Sequence, residues 1–187
     1  MPLILSGSAG LSGNVGTTTK EMLPAGTVLQ VVQAQKTDTQ AFSGGATPVD
    51  IAGLQATITP LSSSSKILCM WSLMYSTDIT VNWGGVRFNL FRDSTKFGGA
   101  AAGSRVPATS SGFNFYGVGT NTTNYDAAQV SGQYLDAPAS TSALIYKMQM
   151  VGVNGSMAIY INRSYADADN SSAARWLSTL TLMEIKA

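Results

Sequence analysis

From Pro24 to the C-terminus, apolar residues recur at every second position in short runs, and clusters of Gly, Pro, Asn and Ser separate the runs. Val86, Phe88 and Leu90 fall on one side of their run and Arg87 and Asn89 on the other. Met157, Ile159 and Ile161 alternate in the same way with Ala158, Tyr160 and Asn162. A period of two is that of a half-buried β-strand. The pattern predicts strands over 27–34, 54–59, 66–75, 86–92, 112–118, 129–135, 143–153, 156–162 and 176–185. No segment of helical length carries apolar residues at a 3.6-residue spacing. Many short strands at near-regular intervals predict an all-β protein, an antiparallel two-sheet β-sandwich or jelly roll.

Some of these runs hold more apolar residues than one core requires. Ile67-Leu68-Cys69-Met70-Trp71, Ala143-Leu144-Ile145-Tyr146 and Leu180-Thr181-Leu182-Met183 place apolar groups on adjacent as well as alternate positions. Such strands need a second burial surface, which a symmetric oligomer supplies. Met70, Met74, Met148, Met150, Met157 and Met183 all fall in strands, where an unbranched side chain fills irregular gaps in a core or between subunits. Met70, Trp71, Met148, Met150 and Leu182 are the candidate subunit-interface residues.

Residues 1–22 follow a different rule. Ser, Gly and Thr surround isolated Leu3, Ile4, Leu5, Leu11 and Val15, too few apolar groups to offset the ordering entropy of the segment by itself. The expectation is an extended N-terminal arm over 1–22 that docks on a partner, in front of a β-sandwich body over 23–187. Leu3-Ile4-Leu5 favours docking over a merely disordered terminus, because the cluster is exposed unless something covers it.

Composition narrows the chemistry. The 187 residues contain one cysteine and no histidine, so a disulfide scaffold, a Cys/His zinc site and a histidine-based nucleophilic mechanism within one chain are all excluded. Eleven basic residues against ten acidic ones, spread along the chain, give a net charge of +1 and no basic patch, so no nucleic-acid partner is expected. Charged residues make up only 11%, against roughly 25% in a typical soluble domain, and 22 Ser plus 19 Thr stand in their place. A neutral, hydroxyl-rich surface suits a subunit built into something larger. No apolar run approaches the roughly 20 residues of a membrane span, and the Met1–Ser6 opening lacks a positive n-region, so neither a membrane partner nor a signal peptide is expected.

Candidate sites are few. Asp167-Ala-Asp169-Asn170 offers oxygen ligands but lacks the remaining positions of a calcium loop, which favours a solvated turn. Asp126 and Asp136 would serve as a glycosidase pair only if the fold brought them within roughly 5–9 Å of each other. The glycine runs 98–103 and 117–119 lack a phosphate-loop Lys-Ser/Thr and read as loops. Between Lys96 and Ala127, aromatic rings are scattered among Gly, Ser, Thr and Asn, a mixture suited to polar partners. Phe97, Tyr116 and Tyr125 are the candidate receptor-contact residues, with a host surface glycan as the expected ligand. The competing reading turns Phe113 and Phe115 into the core across Asn114. No cofactor and no catalytic role are expected.

Several longer phrases carry a resemblance. Pro24-Ala-Gly-Thr-Val-Leu-Gln-Val-Val32, Ile58-Thr-Pro-Leu-Ser-Ser-Ser-Ser-Lys-Ile-Leu68, Phe88-Asn-Leu-Phe-Arg-Asp93, Leu135-Asp-Ala-Pro138, Ile159-Tyr-Ile-Asn-Arg-Ser164 and Leu180-Thr-Leu-Met-Glu-Ile185, in this order, resemble the tail-fibre-like virion proteins of environmental tailed bacteriophages. The resemblance implies a non-enzymatic, homotrimeric β-sandwich knob on the exterior of a virus particle, with a role in host attachment. Only about 22 residues precede the body, whereas such fibres carry an adaptor and a shaft. A short arm that contacts capsid or tail proteins also fits a capsid decoration, or cement, protein. A lectin-like or depolymerase knob is the rival from another class.

Overall fold

A computed structural model describes residues 23–43, 47–78, 85–113, 125–153 and 157–187. The arm residues Leu3, Ile4, Leu5, Leu11 and Val15, and the candidate Tyr116, lie outside the described residues. Within them the chain is all-β, with eleven strands and no helix. They are β1 (Val28–Lys36), β2 (Gln40–Ser43), β3 (Val49–Ile58), β4 (Lys66–Thr77), β5 (Val86–Arg92), β6 (Thr95–Phe97), β7 (Ser110–Gly112), β8 (Ala128–Asp136), β9 (Leu144–Gly152), β10 (Ala158–Ile161) and β11 (Ser178–Ile185). Two antiparallel sheets form a β-sandwich.

The first sheet is arranged around β4, the longest strand. One edge of β4 pairs with β8 along residues 67–75, and the other pairs with β11 over 66–72 and with β10 over 75–77. β11 and β10 therefore lie end to end on one line. β1 and β2 flank them in the same way, β1 on β11 and β2 on β10. The second sheet runs β3-β9-β5, and β5 carries β6 and β7 beyond it.

Alternation then sorts the side chains. Ile67, Cys69, Trp71, Leu73 and Tyr75 of β4 face Ile51, Leu54, Ile58, Phe88, Leu90, Tyr146, Met148 and Met150 of the other sheet, and all are buried. Burying one such side chain stabilises the fold by roughly 1.5–3 kcal/mol. In the second sheet β3 is bulged between Asp50 and Gln55 in its pairing with β9, where Gly53 takes a φ of +81° that an L side chain resists. The Gln40 side chain serves this bulge by accepting from Ala52 N and donating to the Asp50 carbonyl.

The line from β10 to β11 is interrupted between 162 and 177, and Asn162 closes the gap. Its φ is +60°, its Nδ2 donates to the carbonyls of Lys36 and Asp38, and its Oδ1 accepts from Ser178 Oγ. Its backbone N–H donates to Met74 O, and its own carbonyl accepts from Trp176 N. One buried amide thus supplies the hydrogen bonds that the ladder lacks where β1 passes into β2 and β10 into β11. The intervening 163–175 excursion is held at its base by a bridge between Arg163 and Arg175.

Candidate functional site

The outward positions of the first sheet form a face almost without charge. Register places Val31, Met183, Leu68 and Leu135 in one row across β1, β11, β4 and β8. The next row is Gln33, Thr181, Met70 and Gln133, and the next Gln35, Thr179, Ser72 and Ser131. Val31 and Leu135 are exposed, as is Met70, while Leu68 and Met183 are half-buried. Lys66 at one corner is the one charged residue among the outward positions of these four strands. A contiguous apolar row rimmed by uncharged amides and hydroxyls is the kind of surface that marks an interaction site.

Of the expected interface residues, only Met70 belongs to this face. Met148, Met150 and Leu182 are fully buried between the two sheets of a single chain, and Trp71 is 5% exposed. The expectation that these four meet a partner is corrected: Met148 and Met150 share the inward parity of Tyr146, and Leu182 that of Leu180. Met183 and Leu68 are the outward positions beside them in the sheet.

The expected receptor-contact residues also separate. Phe97 is 8% exposed, buried beneath Tyr134 with ring centroids 4.5 Å apart and with the Arg92 guanidinium 5.7 Å from its ring, so it is corrected from a contact residue to a core residue. Tyr125 is half-buried, and its hydroxyl accepts a hydrogen bond from Asn170 of the 163–175 excursion. Phe113 is 59% exposed and meets Tyr75 edge-on, against the reading that turned it into the core; Phe115 lies outside the described residues.

The acidic candidates are engaged elsewhere. Asp167 contacts Arg175 at 2.5 Å and Arg163 at 3.7 Å, which occupies the carboxylate that a calcium loop would need. Asp136 is buried between the sheets, where its Oδ2 accepts from Arg92 Nη1 at 2.5 Å and from Tyr146 Oη at 2.6 Å. Burial and then the hydrogen bond to Asp136 push the Tyr146 hydroxyl above its ordinary range. Burial disfavours the Arg92 cation, but the Asp136 carboxylate outweighs it and raises the pKa. Burial, reinforced by the Asp136 charge, pushes the nearby Cys69 thiol up to about 12, so it stays protonated and unreactive. The cluster is a brace joining β4, β5, β8 and β9.

Near the brace, at the free edge of β8, the indole of Trp71 lies across Gly132. A Cβ at Gly132 would sit 2.4 Å from Trp71 Cζ2 and 2.8 Å from Cε2, so only glycine admits the ring. A cleft of 230 Å³ opens beside it, between β8 and the segment that leads from β6 into β7. Trp71 Nε1 and Ser110 Oγ, both buried, have no hydrogen-bond partner, and both residues border this cleft. An orphaned buried polar atom costs roughly 1–3 kcal/mol. Trp71 was legible in the sequence as an apolar strand residue and a candidate for the subunit interface, not as part of a cleft; Ser110, Gly132 and Tyr134 carried no signal, since their relation depends on strand register.

No family model matches the sequence, and no curated protein matches it. Among solved structures, a chain in the structure of infectious bursal disease virus, Gx strain, is similar at 14% identity and a TM-score of 0.34, over 86% of this chain and 39% of that one. The chain thus spans about two fifths of the length of that chain.

Proposed function

We propose that this chain is a non-enzymatic structural protein of a bacteriophage virion, a homotrimer displayed on the particle exterior and anchored to capsid or tail proteins through its arm over 1–22. The observation that carries this reading is the row Val31, Met183, Leu68 and Leu135, set beside Met70 on a sheet face with one corner charge. The row is the second burial surface that the strand composition calls for, and a neutral face associates with a like copy without charge repulsion. The sequence phrases that resemble tail-fibre-like proteins support the virion setting and a role in host attachment. Capsid decoration is the competing placement on the particle, and imaging of whole particles separates the two by copy number and position.

The test is association in solution. Sedimentation of the full chain gives a trimer, and Met183→Asp, which puts a charge into the row, weakens association more than 100-fold, or about 3 kcal/mol, through an unpaired buried charge. A chain that is monomeric at all accessible concentrations, or a Met183→Asp variant that assembles like the parent, overturns the reading. Removing residues 1–22 leaves a folded trimer that no longer joins particles; retained incorporation counts against the anchoring role.

A further inference from the structure

The cleft between β8 and β7 has the chemistry of a small-ligand site. None of its ten lining residues is charged, so a phosphate, carboxylate or ammonium entering it would lose water without gaining a counter-charge. Its volume of 230 Å³ is several times the ~30 Å³ share of one water and below the ~300 Å³ at which drug-sized pockets begin. That is room for one small ring.

Two features set what the ring must offer. Trp71 Nε1 is a donor only, so it requires an acceptor, while Ser110 Oγ both donates and accepts. Thr109 Oγ1, which also borders the cleft, is already committed: it donates to Phe97 O and accepts from Leu90 N. On the β8 side, Tyr134 packs one way on Phe97 and remains 38% exposed, an aromatic wall for an apolar ring face. A molecule with hydroxyls around its rim, C–H groups on its faces and no net charge answers each of these demands.

We propose that this cleft binds a single neutral sugar ring, with a ring hydroxyl oxygen accepting from Trp71 Nε1, another hydroxyl paired with Ser110 Oγ, and the Tyr134 ring against its apolar face. Both polar atoms are covered, so binding turns Ser110 about χ1 and shifts the Trp71 indole until Nε1 meets the ligand. The site rests on the attachment part of the proposed function and deepens it by naming a ligand class; Ser131 and Gln133 border both the cleft and the outer sheet face, so assembly is followed as its own readout.

The experiment follows the Trp71 indole N–H resonance of the full-length protein while glucose, galactose, rhamnose and N-acetylglucosamine are titrated in turn, with glucuronate as the charged control. At least one neutral sugar shifts this resonance saturably at millimolar concentration, and glucuronate binds about tenfold more weakly. Ser110→Ala weakens the response about tenfold with the remaining spectrum unchanged. Trp71→Phe, followed through the ligand's own signals, abolishes binding. The absence of a saturable shift with all four sugars overturns the proposal, as does undiminished binding in Ser110→Ala or Trp71→Phe. Sedimentation of the same samples reports assembly independently, so a failed sugar titration leaves the trimer reading intact, and a monomer that binds sugar leaves the cleft intact.

Discussion

Replacing Asn162 with alanine removes three side-chain hydrogen bonds from the gap between β10 and β11 and leaves a Cβ-bearing residue without a polar side chain at a φ of +60°. Each bond is worth about 1 kcal/mol net. The left-handed backbone adds roughly 1 kcal/mol, since alanine lacks the local hydrogen bonding that lets asparagine occupy this region. Asn162→Ala is therefore expected to lose about 4 kcal/mol. Asn162→Gly loses the same bonds but not the backbone penalty, and should be about 1 kcal/mol milder. Asn162→Asp turns a carboxylate oxygen toward the carbonyls of Lys36 and Asp38 and should be worse than alanine. Urea unfolding at one fixed protein concentration, read by both circular dichroism and tryptophan fluorescence, measures the series. A loss under about 1 kcal/mol for alanine would refute the reasoning, because the gap would then be held by its backbone bonds alone. Equal losses for glycine and alanine would refute the backbone part.

Three further outcomes follow from the region around Trp71. Gly132→Ala places a Cβ inside the indole and should cost about 2–3 kcal/mol by overpacking, with a red-shifted tryptophan emission as the ring is driven outward; parental stability and emission would refute that packing. Cys69, held from its ordinary 9.0 up to about 12, favours the folded state while protonated, so its contribution is complete below pH 9 and is lost as pH rises toward 12. Tyr75, raised to about 12 from 10.0 by burial, acts in the same direction. Thermal melts from pH 8 to 11 should show stability falling from pH 9 upward, and Cys69→Ala should flatten the first part of that fall. Native protein at pH 8 should resist iodoacetamide until urea unfolds it, and rapid labelling without denaturant would refute the burial of the thiol.

Much of the architecture was written in local pattern. Val86–Arg92 appears in the structure with the bounds that alternation predicts, and β4, β8, β9 and β11 lie within a few residues of theirs. β2 and β6 escaped because they are short and lack a clear apolar alternation; β2 is ordered by its pairing with β10 and β6 by its pairing with β5. The site was less legible, for a geometric reason. Period two tells which residues of a strand share a side, but not which side is covered, and so Met148, Met150 and Leu182 were assigned outward while Met183 and Leu68 were passed over. The row from Val31 to Leu135 exists only once four strands far apart in the chain are in register. Trp71 and Gly132 meet for the same reason, 61 positions apart.

The seam at Asn162 has a bearing on how this sandwich tolerates change. Because β10 and β11 share one line and their junction is tied off by a single amide, the 163–175 excursion leaves and re-enters at nearly the same point, with Trp176 N bonded to Asn162 O. Its length is thereby uncoupled from every strand register in the sheet. Doubling such a loop costs only about 0.6 kcal/mol in closure entropy, so this is where added sequence can be carried with least disturbance to the body. In an assembly of identical copies, a peptide inserted between Asp169 and Ser172 would be presented once per subunit at a spacing fixed by the assembly, which makes the excursion a natural graft point.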